Sequence, residues 1–347
     1  MPGTYLNYPF DEEIFTRMWQ EEPDPVQTAL LNSGVMVQDS LIAQQIQNDG
    51  NYYTIPFYNV LDGDPVNYDG ATDITTTETS AGSQSGIVYG RAKGFTARDF
   101  VAELSGSDPM GHIAATIGKY WAKQRQKKLI QVLDAIFGIT GGTAGSRQKA
   151  WVDNHTANLG SDTATAYTIG ETDLNNLATQ AMGDNKTQFG LVVMHSNVAK
   201  TLENMQQLEY WKQTDPNGLQ RPIGLASCNG YTVIIDDNVP AKAVGGSGAN
   251  KDLIQYTTYL LGTGAIRAAQ GRVDRPSEGD RDPKTNGGQD TLYTRIRETI
   301  HPNGFTFTIP SSGWTQSPTD AQLSASANWS VMYDPKAIPL ARLITNG

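Results

Sequence analysis

The apolar positions between Ser107 and Gly138 change sides once. On a wheel of about 100° per residue, Met110, Ile113, Ala114, Ile117, Tyr120 and Trp121 share one face, and Ile130, Leu133, Ile136 and Phe137 share another, turned by roughly 140°. The spacing predicts one helix over 109–137. Ser107 or Asp108 can cap it, Pro109 suits the first helical position, and the glycine cluster GITGG from Gly138 ends it. Such a helix spans about 43 Å at 1.5 Å per residue. Two helices with a break are the alternative. Either way the two faces need different partners, and the polar stretch AKQRQKK lies between them.

Around this helix the pattern is mixed. Residues 1–50 read as an arm: DEEIFTRMWQ as a short helix, EEPDP as a breaker, VQTALLNSGVMVQDSLIAQQIQ as weakly amphipathic, with no compact core. NYYTIPFYNV and IVYGRAKGFTA read as two extended runs of one long hairpin, with the flexible AGSQSG towards its tip. Neither run alternates enough to be central in a sheet, so the hairpin is expected to project. After the extended ATAYTIG, Thr172 is expected to cap a helix with Leu174, Leu177, Ala178 and Ala181 on one face. FGLVVMH, YTVIIDD and QYTTYLLG read as buried strands. SNVAKTLENMQQL reads as a helix capped by Ser196, and WKQTDPNGLQRP and DRPSEGDRDPKTNGGQD as loops. TLYTRIRETI and GFTFTI return to a strand pattern, SPTDAQLSASANWSVMY suggests a capped helix, and IPLARLI a closing strand. The class is α+β.

Charge changes this picture in one respect. The net charge of the 347 residues is −10, yet residues 1–90 hold thirteen Asp or Glu against one basic residue, Arg17, and the remainder is nearly balanced. The stretch KYWAKQRQKK, by contrast, puts Lys119, Lys123, Arg125, Lys127 and Lys128 into ten residues. Lys119, Lys123 and Lys127 stack at i, i+4 and i+8. An acidic segment of this kind suits a positive partner. With 35 glycines and 17 prolines, long connections are expected.

Candidate chemistry is sparse. One cysteine, Cys228, allows no internal disulfide, and His112, His155, His195 and His301 follow no metal-binding spacing. Neither a basic leader before an apolar run nor 18 uninterrupted apolar residues occurs, so no membrane association is expected. The Asn-x-Ser/Thr triplets at Asn154, Asn185 and Asn328 read as chance. His195 beside Ser196 is the most catalytic-looking pair, but neighbours in sequence do not adopt nucleophile–base geometry and no G-x-S-x-G turn is present. The glycines of GITGGTAG follow a helix rather than a strand, unlike a phosphate loop. Asp236 and Asp237 suit turn hydrogen bonds better than acid–base work. Tyr120 and Trp121 belong to the apolar face, which leaves the basic cluster without the exposed aromatics of a single-strand binder. No enzyme activity and no cofactor are expected. A soluble hydrolase using His195 is the enzyme alternative and would need an enclosed pocket.

Taken in order, these blocks resemble the major capsid proteins of tailed bacteriophages, of the Hong Kong 97-like fold. AKGFTARDFVAELSGSDPMGHIAATIGKYWAKQRQKKLIQVLDAIFG is similar to that family's extended loop running into its spine helix. GLVVMHSNVAKTL, GYTVIIDDNVP, TYLLGTGAI, HPNGFTFT and SPTDAQLSASANWSVMYDPKAIPLARLITN follow as further blocks, so the resemblance covers the chain from about residue 50. It implies an arm over 1–50, an extended loop over 51–106 and a peripheral domain over 107–185 with its spine helix at 109–137. An axial domain over 186–270, peripheral return strands over 271–313 and a C-terminal helix and strand over 314–347 on the axial domain complete the division. It also implies a homo-oligomer of pentamers and hexamers closing an icosahedral shell around double-stranded DNA, without sequence-specific binding. Such a chain is made in the bacterial host cytoplasm and ends in the virion.

Scaffold, portal and decoration proteins are the other partners the resemblance brings. The short arm suggests that a scaffold, if one is used, is a separate protein. Some relatives cross-link a loop lysine to a neighbour; Lys93 is the one lysine of this hairpin, and no catalytic glutamate can be assigned to it. An encapsulin-like compartment is the alternative within the fold. Because the family drapes its arm and loop over adjacent subunits, the five bases are expected to meet carboxylates across subunit boundaries. The candidates are Asp11, Glu12, Glu13, Glu21, Glu22, Asp62, Asp64 and Glu78.

Overall fold

The computed structural model describes residues 3–5, 8–10, 34–47, 50–59, 61, 63–70, 73–74, 76–100, 109–160, 166–214, 220–244 and 253–347. In chain order its elements begin with β1 Gly3–Tyr5, β2 Tyr8–Phe10, β3 Met36–Gln38, α1 Ser40–Gln47, β4 Tyr52–Tyr58, β5 Ala81–Ile87 and β6 Tyr89–Arg98. There follow α2 Pro109–Phe137, α3 Arg147–His155, β7 Thr156–Asn158, α4 Asp173–Met182, β8 Phe189–Met194, α5 Ser196–Asn204, β9 Glu209–Thr214, β10 Gln220–Cys228, β11 Tyr231–Ile235 and β12 Ala241–Ala243. The last are β13 Ile254–Gly262, β14 Ile266–Gln270, β15 Ser277–Asp282, β16 Gln289–Pro302, β17 Phe305–Phe307, α6 Asp320–Ser324, β18 Trp329–Val331 and β19 Leu340–Thr345.

Two sheets organise the molecule. An eight-stranded sheet runs β7-β19-β13-β8-β11-β10-β9, with β12 added on β13. Its strand β8, FGLVVM, carries no polar side chain because both faces are covered. Leu191 and Val193 of β8 join a core with Ile130, Leu133, Ile136 and Phe137 of α2, whereas Val192 and Met194 face Leu174, Leu177 and Ala178 of α4 and Val198 and Leu202 of α5. The five-stranded sheet places β16 at its centre, between β6 on one side and β15 and β14 on the other, with β3 pairing β14. Its Leu292, Phe95 and Ile296 receive Ile117, Trp121, Met110 and Ile113 of α2. The single helix expected from the pattern therefore changes partners midway, one half on each sheet.

Several expectations need correction. The partner of β4 is not IVYGRAKGFTA but AGSQSGI, the segment read as flexible. Gly82 and Gly86 stand opposite Phe57 and Tyr53 in that ladder. A Cβ on Gly86 would come within 2.3 Å of the Tyr53 ring, and one on Gly82 within 2.5 Å of Phe57, so these glycines make room for aromatic rings. Gln84 between them is fully buried and bonded to Asn303, Tyr333 and the Gly304 amide. The second run, β6, instead pairs with β16 over ten residues. The ribbon thus projects only beyond its base.

Part of the expected arm is likewise body. β3 joins the five-stranded sheet, and Ile42 and Ile46 of α1 are buried against Tyr53, Val88 and Ala269. Asp39 accepts the Leu41 and Ile42 amides and binds Arg267. Two expected loops hold strands: β9 and β10 cover most of WKQTDPNGLQRP, and β15 lies within DRPSEGDRDPKTNGGQD. Charged side chains suit β15 because it is peripheral on β16, with Arg281 bound to both Asp290 and Asp99. The expected C-terminal helix shrinks to α6, held by a Thr319–Gln322 capping box, before the chain turns into β18. β19 lies inside the large sheet between β7 and β13, and β14, expected at the end of the axial segment, belongs to the five-stranded sheet.

Replacing Gly86 by Ala forces Tyr53 from its site, where its hydroxyl meets Thr299 at 2.9 Å. The expected loss is about 1–3 kcal/mol of subunit stability, checked by the shift in urea midpoint at constant slope.

Candidate assembly surface on the long helix

The five bases of α2 divide by direction. Lys119, Lys123 and Lys127 are exposed along one ridge of the helix. Arg125 and Lys128 point to the other side, at the crossing between the two cores. Arg125 Nε is 2.8 Å from Glu298 Oε2, and the Tyr89 hydroxyl donates to Glu298 Oε1 at 3.0 Å. The Glu298 side chain is 4% exposed, so this carboxylate is desolvated and depends on both partners. Burial, followed by the Glu298 charge, raises the Tyr89 hydroxyl well above its ordinary range and keeps it a donor.

Lys128 is buried and meets Asp320, at the start of α6, with Gln131 Oε1 3.1 Å away. Arg91 of β6 reaches the same Asp320 at 2.6 Å and lies 5.3 Å from the Tyr89 ring centroid. Desolvation lowers the Lys128 ammonium's pKa, while Asp320 opposes that shift. Burial pushes the Asp320 carboxyl up, but Lys128 and Arg91 together hold it below the usual range. The space beside them, bounded by Tyr89, Tyr120, Trp121 and Gln124, is about 100 Å³, below the size of an ordinary small-molecule site.

The expected acidic partners divide as well. Asp11, Glu12, Glu13, Glu21, Glu22 and Asp62 lie outside the described residues. Asp64 and Glu78 are exposed in the connection between β4 and β5, and among the described residues no ion pair joins either to α2. Glu298 and Asp320 were missing from the sequence-derived set. The alternation of Thr294, Ile296, Glu298 and Ile300 carried a signal for Glu298, since it sets that carboxylate on a face with two isoleucines. Asp320 carried only a first-turn signal.

At His195 the geometry is that of a helix cap. Its Nδ1 accepts the Asn197 amide at 3.1 Å, so His195 and not Ser196 caps α5. Ser196 instead donates its amide to Asp237 at 3.2 Å. Ser196 Oγ and Asp237 Oδ1 both approach this same nitrogen, at 3.4 and 3.8 Å, whereas a nucleophilic triad needs them on opposite nitrogens. Asp236 accepts the Asn238 amide at 2.9 Å, a turn role. Among the described residues no three His, Cys, Asp or Glu side chains are grouped to hold a metal, and no helix is long and apolar enough to cross a membrane.

Arg125→Met leaves the Glu298 carboxylate buried beside a neutral side chain and is expected to cost about 3 kcal/mol, whereas Lys123→Met stays within about 0.5 kcal/mol. Denaturation of unassembled subunits measures both. His195→Ala is expected to lose about 1 kcal/mol of capping energy and Ser196→Ala only a few tenths, read from thermal melts.

A family model described as Gp13-like, major capsid protein 13-like, matches residues 38–339. The major capsid protein of Bacillus phage SPP1 is 28% identical over 317 residues, which cover 91% of this chain and 90% of that protein. Among solved structures, the capsid of Ralstonia phage GP4 matches with a TM-score of 0.57 at 12% identity, over 91% of this chain and 88% of that one. A chain of Mycobacterium phage Bobi matches with a TM-score of 0.50 at 14% identity, over 92% and 90%. The cyanophage Pam1 capsid gives 0.50 at 12% identity, over 86% and 85%.

Proposed function

The chain belongs to the Gp13-like family of major capsid proteins, and from that membership we infer that it is the subunit of an icosahedral tailed-phage head shell. The observation that carries this reading is the extent of the family match, which takes in α2 and every strand of both sheets except β19 and most of β3. The fold is Hong Kong 97-like, and the phage relatives favour a head shell over an encapsulin-like compartment. In that shell we take the five-stranded sheet with the first half of α2 as the peripheral region and the eight-stranded sheet as the axial one. Pentamers and hexamers enclosing double-stranded DNA, with scaffold, portal and decoration proteins as further partners, belong to the same proposal. We assign His195 no catalytic part.

The surface fits such an assembly. Tyr58, Leu61, Tyr68 and Ile74, in and beside the β4–β5 connection, are 72–91% exposed, apolar side chains that a neighbouring copy would cover. No basic residue occurs between Arg17 and Arg91, so the same connection is purely acidic. We propose that Lys119, Lys123 and Lys127 receive such carboxylates, Asp64 and Glu78 first, from a second copy, while Arg125 and Lys128 hold the helix within its own subunit. The arm residues Asp11, Glu12, Glu13, Glu21 and Glu22, and Asp62, are further candidates for that ridge. Exposed pairs contribute only about 0.2–1 kcal/mol each, and repetition around a closed shell multiplies the bias.

Lys123→Glu with Lys127→Glu is expected to leave subunits folded but slow or prevent shell closure at low salt, and Asp64→Lys with Glu78→Lys to restore it in part. Electron microscopy and sedimentation read the result. Normal assembly of the reversed helix, with only DNA retention altered, assigns the ridge to DNA instead.

A further inference from the structure

His301 stands where four segments distant in sequence meet. It lies near the end of β16, is 1% exposed, and only the Phe305 main chain comes near a ring nitrogen, short of full hydrogen-bond geometry. The Tyr53 ring of β4 makes an edge contact with it at 6.0 Å between centroids, and the Trp329 ring of β18 lies at 6.2 Å. Opposite it in the ladder is Arg267 of β14.

The charged and titratable groups around it leave no room for a proton. Arg267 presents a cation from β14, and Asp39, ahead of α1, is already bound to that cation at 2.9 Å. From β4 comes only the Tyr53 phenol, paired with Thr299, and beyond β18 the Tyr333 phenol, within reach of the Arg267 charge. β17 offers the Phe305 main chain, and Trp329 of β18 an indole. An imidazolium here would be a second cation beside a guanidinium in a dry site. Burial, and then the Arg267 charge, accordingly push the His301 pKa down from 6.5 to about 3.

The neighbour that can leave without breaking a ladder to the rest of the body is the ribbon. β3 and β14 are tied to their sheet by backbone ladders, and β18 is laddered to β17. The β4–β5 ladder is internal, and the ribbon is fastened to the body largely through side chains: Tyr53 to Thr299, Gln84 to Asn303, Gly304 and Tyr333, and the Ser85 amide to Thr306. Lifting it opens His301 to water without breaking the five-stranded sheet. We propose that His301 is an acid-operated catch for the hairpin, whose protonation requires the base of the β4–β5 ribbon to leave the sheet while the rest of the subunit stays folded.

The sign follows from linkage. The open form has an ordinary imidazole and binds a proton below about pH 6.5, the closed form only near 3, so the opening equilibrium gains about tenfold for each pH unit lost between them. A two-stranded ribbon off its support does not keep its ladder, so its amides report the opening. Hydrogen–deuterium exchange of the full chain, corrected for the intrinsic rate, is expected to show about a hundredfold rise in opening of 52–58 and 81–87 from pH 6 to pH 4, with β8 and β13 unchanged. His301→Phe removes the titration and keeps a ring in the site, and should flatten that slope. His155→Gln should leave it, although His155, buried on α3 with Leu340 O at 2.6 Å, is itself pushed down to about 4. The wild type decides even if a variant fails to fold: exchange that rises around 147–158 while the ribbon stays flat overturns the proposal. A slope surviving in His301→Phe does the same.

Discussion

A charge leaves water only in company, and the joint between the two halves of this subunit is built on that constraint. α2 runs from one apolar core to another, and the belt between them holds five cations. The helix can make the passage because Arg125 and Lys128 find carboxylates waiting, Glu298 from β16 and Asp320 from α6. Each carboxylate is also held from the β6 side, by Tyr89 and by Arg91. Helix, sheet and C-terminal turn are therefore locked at one point. Such a pair adds little net stability over an apolar contact, but it makes any other arrangement costly, since a displaced helix would strand a desolvated charge.

The same economy governs the hairpin. Its base is held by aromatic rings lying over glycines and by a buried glutamine whose amide is satisfied by three partners, and apolar side chains lie exposed beyond that base. A segment that is specific at its root and uncovered at its far end suits a part whose final contacts belong to another copy. Its acidity and the basic ridge of α2 are complementary in charge.

Legibility followed the range of the forces. The turn of α2 from one face to another was plain, because burial on two sheets writes two stripes into one helix. β8 and β11 were plain too, since coverage on both faces leaves the short apolar runs LVVM and VII. AGSQSGI was misread because its glycines serve the rings of Phe57 and Tyr53, some thirty residues away, and a glycine that makes room looks in sequence like a glycine that bends. β15 was misread because a peripheral strand is held by backbone bonds, which leave no mark on the side chains. Ser196 was taken for the cap that His195 supplies, since imidazole is rarely the acceptor at that position.

Local pattern carried the class of fold, the start and stop signals of α2, the buried strands, and the separation of acid from base along the chain. These depend on periodicity, capping and composition, which act over a few residues. Only the tertiary structure decided which cations of α2 face inward, that Glu298 and Asp320 receive them, that His301 is sealed beside Arg267, and that part of the expected arm is core. Those are pairings between residues far apart in the chain, and a carboxylate's partner is set by where the backbone brings it, which no local pattern records.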